Sequence, residues 1–148
     1  CAQMVGFAVM SFRENRWGGL VSQGIGTSML QMPNIVKNPR IWIPPTLASA
    51  ITGPIATCLF KLEMNGAPIN SGMGTCGLCG QLGVWTGWLA PSEKAIEKVG
   101  AAAVSPTAFH WIGLILISFI LPALLSVMFC EVLRKIGWIK EGDLTLPQ

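Results

Sequence analysis

The sequence predicts an all-α membrane protein, built from polytopic transmembrane helices with glycine-rich re-entrant segments and an inverted repeat. Three observations lead to this class. Of 148 residues, 51% are hydrophobic and only 11% are charged, with a mean hydropathy of +0.56, whereas a soluble domain carries about 25% charged residues. Seventeen glycines and ten prolines interrupt the apolar sequence. The charges lie in clusters, and the stretches between them reach the roughly 20 residues that span a bilayer. Those charge-free stretches are 17–36, 41–60, 64–92 and 99–130.

The same composition excludes several classes of protein. The apolar content is too high for a disordered chain, and the glycine and proline content excludes a simple helical bundle. A net charge of +3 from ten basic and seven acidic residues is too small for a nucleic-acid binder, so no nucleic-acid partner is expected. The remaining alternative is a soluble protein with a large buried core, which would have too little polar surface.

Two of the apolar stretches predict spanning helices. Stretch 109–130 is dense in Leu and Ile and ends before basic residues, which is typical of a transmembrane helix, here with a kink at Pro122. Stretch 41–60 is long enough for a second span, with a kink at Pro54. Residues 1–12 begin in an apolar run without a basic region ahead of it. We therefore expect the end of a helix there rather than a signal peptide.

The other two stretches, 17–36 and 65–90, are rich in Gly, Ser, Thr, Asn and Gln and poor in Leu and Ile. Irregular backbone is tolerated at membrane depth only inside protein or along a cavity. Both stretches therefore predict re-entrant or interrupted helices. The alternative is a pair of continuous helices that pack closely through their small residues.

A shared pattern, Gly-apolar-Gly-Thr-small, occurs at 24–28 and again at 72–76. Each copy precedes a spanning candidate, so the chain divides into a unit 13–60, a unit 61–135 and a cytoplasmic tail 136–148. If each re-entrant segment returns to its own side, the second unit is inverted relative to the first. The two turns should then meet near the bilayer midplane, and valine should not be tolerated at the second glycine of each copy. These glycines are Gly26 and Gly74.

Positive charge favours the re-entrant topology. With both segments re-entrant, the basic residues of 13–16, 37–40 and 134–140 share one side, seven of the ten in the chain. Four full crossings would divide them six to four. The excess marks the cytoplasmic side and places the C-terminus there. Between the units, 91–104 predicts either a short helix on the membrane surface or a solvated loop.

Familiar catalytic and cofactor motifs are not supported. The Gly-x-Gly-x-x-Gly run at 72–77 follows turn-forming residues rather than the strand that a dinucleotide site needs. Cys76 and Cys79 form a CxxC without a second ligand pair, so packing is a better interpretation than zinc or redox chemistry. No cofactor, metal or catalytic nucleophile is predicted. His110 lies at the start of an apolar stretch beside Trp111, which predicts either a residue that binds or relays protons or one that anchors the interface.

Uncharged hydrogen-bonding residues are the remaining functional candidates. Polar groups inside a membrane are costly and tend to face a cavity or a partner. Amides and hydroxyls suit a neutral polyhydroxylated solute such as a sugar better than a cation or an organic acid. The alternative is hydrogen bonding between helices. The candidates are Gln23, Thr27, Gln31, Asn34, Asn70, Thr75 and Gln81.

The blocks at 24–55 (GIGTSMLQMPNIVKNPRIWIPPTLASAITGPI), 72–81 (GMGTCGLCGQ) and 134–140 (RKIGWIK) resemble the integral-membrane subunit IIC of bacterial phosphotransferase-system sugar transporters. The resemblance is greatest to the branch that includes proteins described as toxin-gene regulators. It implies the C-terminal half of one IIC domain in the bacterial cell membrane, a homodimer, and sugar translocation. It also implies cytoplasmic IIA and IIB partners that carry the phosphoryl group.

One motif departs from the family pattern. Better-known IIC subunits carry Asn-x-Glu-Pro in a re-entrant hairpin for binding sugar hydroxyls, whereas this chain has the acid before the amide, as Glu63-Met-Asn65. With His110, these two residues complete the predicted substrate-binding set. The departure favours one alternative function, a membrane sensor or regulator that keeps the fold without transporting.

Overall fold

A computed structural model describes residues 1–60, 68–90, 93 and 107–146. Their regular secondary structure is helical, and no strand occurs among them. The α-helices are α1 (Ala2–Met10), α2 (Phe12–Val21), α3 (Met32–Lys37), α4 (Ile43–Pro54), α5 (Cys79–Leu89), α6 (Ala108–Ile115) and α7 (Leu121–Ile136). Short 3-10 turns cover Ser28–Gln31, Pro39–Trp42, Pro68–Gly72 and Cys76–Leu78, and π turns cover Ser22–Gly26, Ile55–Leu59 and Leu116–Ile120.

Helices α6 and α7 are joined by a π turn into one continuous helix, Ala108–Ile136, of 29 residues. Within the described residues it is the one helix that is both long and apolar enough to cross a membrane, and at 1.5 Å per residue it extends about 43 Å. The π turn ends at Ile120, two residues before Pro122, which has no backbone N–H to donate. The predicted span at 109–130 falls inside this helix.

The second predicted span, 41–60, forms a shorter helical stretch. A 3-10 turn ends at Trp42, α4 follows, and the π turn Ile55–Leu59 begins directly after Pro54. Its far end packs against α6, since the Phe60 ring lies where a side chain on Gly113 would be. This stretch does not reach the length of Ala108–Ile136.

Helix α1 packs between α4 and α7. A Cβ on Gly6 would lie 2.6 Å from Ser126 Oγ and 2.9 Å from Pro45 Cβ. Both distances are shorter than carbon contacts allow, so the three backbones approach this closely only because residue 6 has no side chain.

Both glycine-rich stretches are interrupted. In the first, the π turn ends at Gly26, Thr27 is extended (φ −150°, ψ 140°), and a 3-10 turn restarts the helix. In the second, left-handed residues at Gly77 (φ 54°) and Leu78 (φ 58°) precede α5. A helix cannot continue through either conformation.

The structure separates the two glycines that the shared pattern predicted to be equivalent. Gly74 has φ +56°, and a Cβ there would lie 2.7 Å from the backbone nitrogen of Cys1. Gly26 has no atom of the described residues within 4 Å of its Cβ position, and its φ is not positive. The expected requirement for glycine at Gly26 is therefore wrong, because neither backbone conformation nor space demands it there.

The C-terminal tail is part of the core. Helix α7 ends at left-handed Gly137 (φ 83°), and the chain folds back so that Ile139 and Leu144 are 2% and 0% exposed. They pack with apolar residues from α1, α7 and the turn before α4. This cluster contains Phe7, Met10, Ile41, Cys130, Leu133, Ile139 and Leu144.

Two sets of predictions fall outside the described residues. They are the Glu63 and Asn65 candidates, and the predicted surface segment 91–104 apart from Glu93.

Candidate functional site

Three of the predicted site residues form one buried chain of amides. Gln23 Nε2 donates to Ser11 Oγ at 2.8 Å, and Gln31 Nε2 donates to Gln23 Oε1 at 3.0 Å. Asn34 Nδ2 donates to Gln31 Oε1 at 2.7 Å. Gln23 and Gln31 are fully buried, and Asn34 is 8% exposed. This geometry matches the alternative of interhelical hydrogen bonding for these three residues.

The amide chain ends on the C-terminal tail. Gln31 Nε2 also donates to the Leu144 carbonyl at 2.9 Å, and Asn34 Nδ2 donates to the Thr145 carbonyl at 2.8 Å. Asn15 bonds the same segment in both directions, donating to the Leu144 carbonyl at 2.7 Å and accepting from Leu146 N at 2.8 Å.

Three of the clusters of charged residues lie together at one end of the molecule. Arg134 Nη2 donates to Glu14 Oε1 at 2.9 Å, and Asn38 Nδ2 donates to Asp143 Oδ2 at 2.8 Å. The Arg40 guanidinium lies 5.2 Å from the ring centroid of Trp138. Clusters 13–16, 37–40 and 131–143 therefore meet, and stretch 17–36 leaves this end and returns to it.

A separate cavity of about 470 Å³ lies where the two glycine patterns approach each other. The π turn Ser22–Gly26 packs against the 3-10 turn Cys76–Leu78 beside it. The first pattern contributes Thr27 and Ser28, the second contributes residues around Gly74, and the start of α1 forms the third wall. The lining residues are Cys1, Gln3, Met4, Thr27, Ser28, Met29, Gly72, Met73, Gly74 and Cys76.

Polar atoms in and beside this cavity lack partners within the described residues. They include Gln3 Oε1 on the lining, Gln81 Oε1 nearby, and Thr75 Oγ1, whose residue is fully buried between two lining residues. Gln81 Nε2 donates to Cys1 Sγ at 3.3 Å, which holds that side chain at the cavity wall. A buried unpaired oxygen costs about 1–3 kcal/mol, so a hydrogen-bonding ligand or water would relieve this cost.

The cavity lies about halfway along the long helix. Helix α1 and the start of α2 run parallel to α7, since Gly6 of α1 lies against Ser126 and Arg13 of α2 pairs with Glu131. The cavity is at the start of α1, about 7.5 Å before Gly6 at 1.5 Å per residue. That level corresponds to about five residues before Ser126, close to the midpoint of Ala108–Ile136.

Aromatic side chains group at the end opposite the tail. Trp88 is 5.3 Å from Trp111 and 6.0 Å from His110 between ring centroids, and Phe60 is 5.0 Å from Phe109. His110 therefore lies in this aromatic group, away from the cavity, and its Nδ1 has no partner among the described residues. Asn70 is in the 3-10 turn Pro68–Gly72 that leads into the cavity wall.

The chain matches a known protein family. The family model described as Phosphotransferase system, EIIC, matches residues 1–146. This chain belongs to the EIIC family of the phosphotransferase system. No curated protein and no solved structure matches the EIIC chain.

Family membership makes this EIIC chain part of a membrane protein of the phosphotransferase system, which works with IIA and IIB components on a sugar. The sequence prediction of an EIIC domain is confirmed. The match does not favour the alternative of a sensor that does not transport.

Sequence reasoning missed two polar residues on the EIIC cavity. The sequence pattern places Gln3 in an apolar helix end and Ser28 among the small residues of the glycine pattern, yet both line the cavity. A signal was present for Gln3, because it is the polar residue of an otherwise apolar run, AQMVGFAVM.

Proposed function

We propose that this EIIC chain binds a sugar in the 470 Å³ cavity between its two glycine patterns and moves it across the membrane. One observation carries the proposal. The two interrupted segments meet at a cavity with polar residues on its lining, beside the middle of the helix that is long enough to span a membrane. Interrupted helices that meet around a midplane site are a recurrent plan of secondary transporters.

The chemistry of the lining supports a neutral, hydroxyl-rich ligand. Its polar side chains include the Gln3 amide and the hydroxyls of Thr27 and Ser28, and no charged side chain occurs among the described residues that line it. Amides and hydroxyls both donate and accept, as sugar hydroxyls do. The volume lies within the range of about 300–1,000 Å³ typical of small-molecule sites.

A re-entrant topology is part of the proposal. Glu14 and Asn38 both bond groups beyond Leu133 of α7, so stretch 17–36 begins and ends on the tail side. Stretch 41–60 then runs from that side to Phe60, which packs at the opposite end of the long helix. Since basic residues concentrate on the tail side, the positive-inside rule makes that side cytoplasmic.

Phosphoryl transfer would occur at the cytoplasmic side. IIB would donate its phosphoryl group to a sugar hydroxyl as the sugar leaves the cavity, so the EIIC chain needs to position the sugar rather than supply a nucleophile. We further propose that the protein works as a homodimer, which light scattering of the detergent-solubilised protein would test.

Sugar binding is the primary test. Calorimetry on the full-length protein in lipid nanodiscs, with a panel of neutral mono- and disaccharides, should detect binding. Thr27→Val and Gln81→Ala should each weaken it by about 1–3 kcal/mol, because a buried sugar hydroxyl loses its partner.

Thr57→Val provides the matched control, because Thr57 is exposed and its hydroxyl bonds its own helix at Gly53 and Pro54. It should leave the affinity unchanged. An absence of binding across the panel, or equal losses for Thr27→Val and Thr57→Val, would contradict the proposed site.

Cysteine accessibility tests the topology separately. Single cysteines placed in 37–40 and 134–140 should react with an impermeant thiol reagent from the cytoplasmic side, and those in 61–63 and 93–98 from outside. Labelling of 37–40 and 61–63 from the same side would rule out the re-entrant topology.

A further inference from the structure

The amide chain and the cavity share one short turn of the backbone. The 3-10 turn Ser28–Gln31 begins beside Thr27 at the cavity and ends at Gln31 in the amide chain. Thr27 Oγ1 accepts from Met29 N at 3.2 Å, which fixes the start of the turn. The Gln31 side chain, bonded to the Leu144 carbonyl at 2.9 Å, fixes its end.

The tail side of this connection is held by further hydrogen bonds. Glu14 Oε2 accepts from both Leu144 N and Thr145 Oγ1, each at 3.0 Å. Leu144 itself has no exposed surface. Because its amide and carbonyl both bond side chains of the membrane region, the tail has a defined position against the turn.

We propose that the C-terminal segment 137–146 positions the wall of the proposed sugar cavity through Gln31, and that Gln31 is a positioning residue rather than a sugar ligand. The chain from Leu144 to Gln31 to the Ser28–Gln31 turn is continuous in hydrogen bonds and backbone. Each buried member has partners inside the protein, so a displaced tail would leave Gln31 with an unmet donor and release the turn. The inference rests on the proposed function only in naming the cavity a sugar site.

The test compares two variants of the full-length protein in nanodiscs. Gln31→Met removes the bond between the turn and the tail, together with the bonds to Gln23 and Asn34, while keeping a side chain of similar length. Asn38→Ala is the control, because it removes bonds to the Trp138 carbonyl and Asp143 near the start of the tail, while Leu144 keeps its bonds to Gln31, Asn15 and Glu14.

Two measurements report on the structure of the cavity wall in the absence of sugar. The first is the rate at which a water-soluble methanethiosulfonate modifies Cys76, a native cysteine on the cavity lining, quantified by peptide mass spectrometry. The second is hydrogen exchange of the amides of 28–31. Gln31→Met should change both rates about fivefold, the factor that corresponds to one lost buried hydrogen bond. Asn38→Ala should change neither by more than about twofold.

Unchanged rates in Gln31→Met, or equal changes in both variants, would overturn the positioning role. Protection of Cys76 by a sugar of the panel in the unmodified protein reports on the proposed function instead. If no sugar protects Cys76 but the rates change in Gln31→Met, the sugar site is rejected and the positioning role of Gln31 is retained.

Discussion

Two arginine–glutamate pairs in the described residues have the same length and differ in burial. Arg134 Nη2 lies 2.9 Å from Glu14 Oε1, with side chains 12% and 10% exposed, and Arg13 Nη1 lies 2.9 Å from Glu131 Oε1, with side chains 66% and 41% exposed. Replacing each glutamate with glutamine removes the charge and nearly preserves the volume. The pair of variants therefore isolates the effect of burial.

The buried position should be far more sensitive. Glu14 accepts from Arg134, from Leu144 N and from Thr145 Oγ1, and glutamine offers a single acceptor oxygen. Removing one partner of a buried ion pair costs about 3–5 kcal/mol, because the remaining charge stays desolvated. Glu131→Gln should cost less than about 1 kcal/mol, the usual value of an exposed pair.

The free energy of unfolding can be measured by reversible titration of detergent micelles with SDS, followed by circular dichroism. Arg134→Met combined with Glu14→Gln completes a double-mutant cycle, which should show a coupling energy of about 1.5–3 kcal/mol. If Glu14→Gln destabilises no more than Glu131→Gln, the tail is not held by a buried ion pair and the argument for its fixed position fails.

Two further predictions use glycines as matched pairs, both read as the free energy of unfolding in the same titration. Gly74→Ala should destabilise by about 1–3 kcal/mol, since its positive φ and its contact with the first residue of the chain both oppose a side chain, whereas Gly26→Ala should stabilise by up to about 1 kcal/mol. Gly6→Ala should cost about 1–3 kcal/mol through overpacking against α4 and α7, and Gly53→Ala, with open space around it, should be neutral or stabilising. Equal effects within either pair would contradict the packing described.

Helix content and the positions of interruptions could be predicted from the sequence, because they depend on local composition. The predicted span at 109–130 lies within the long helix, and the Gly-Thr patterns coincide with breaks near Thr27 and Gly77. Glycine and extended threonine disrupt a helix wherever it packs. Spanning and re-entrant behaviour, by contrast, depends on the surrounding lipid.

Which polar residues form hydrogen bonds inside the protein and which line the cavity could not be predicted. Gln23 and Thr27 are four positions apart in one glycine-rich stretch, yet the first bonds Ser11 and the second lines the cavity. The difference arises because the helix breaks between them and turns their side chains in different directions. Gln31 bonds Gln23 and Asn34 nearby but also the Leu144 carbonyl 113 residues away in the tail, and no local pattern specifies a contact at that separation.

The two π turns next to prolines have a mechanical consequence. Ile55–Leu59 follows Pro54, Leu116–Ile120 precedes Pro122, and Phe60 packs at Gly113, so the two wide turns lie at similar depth on neighbouring, oppositely directed helices. Wide turns and prolines both remove regular hydrogen bonds along a helix. Bending therefore costs less in this layer than elsewhere along the pair, and we expect any hinge between the aromatic end and the tail end to lie there.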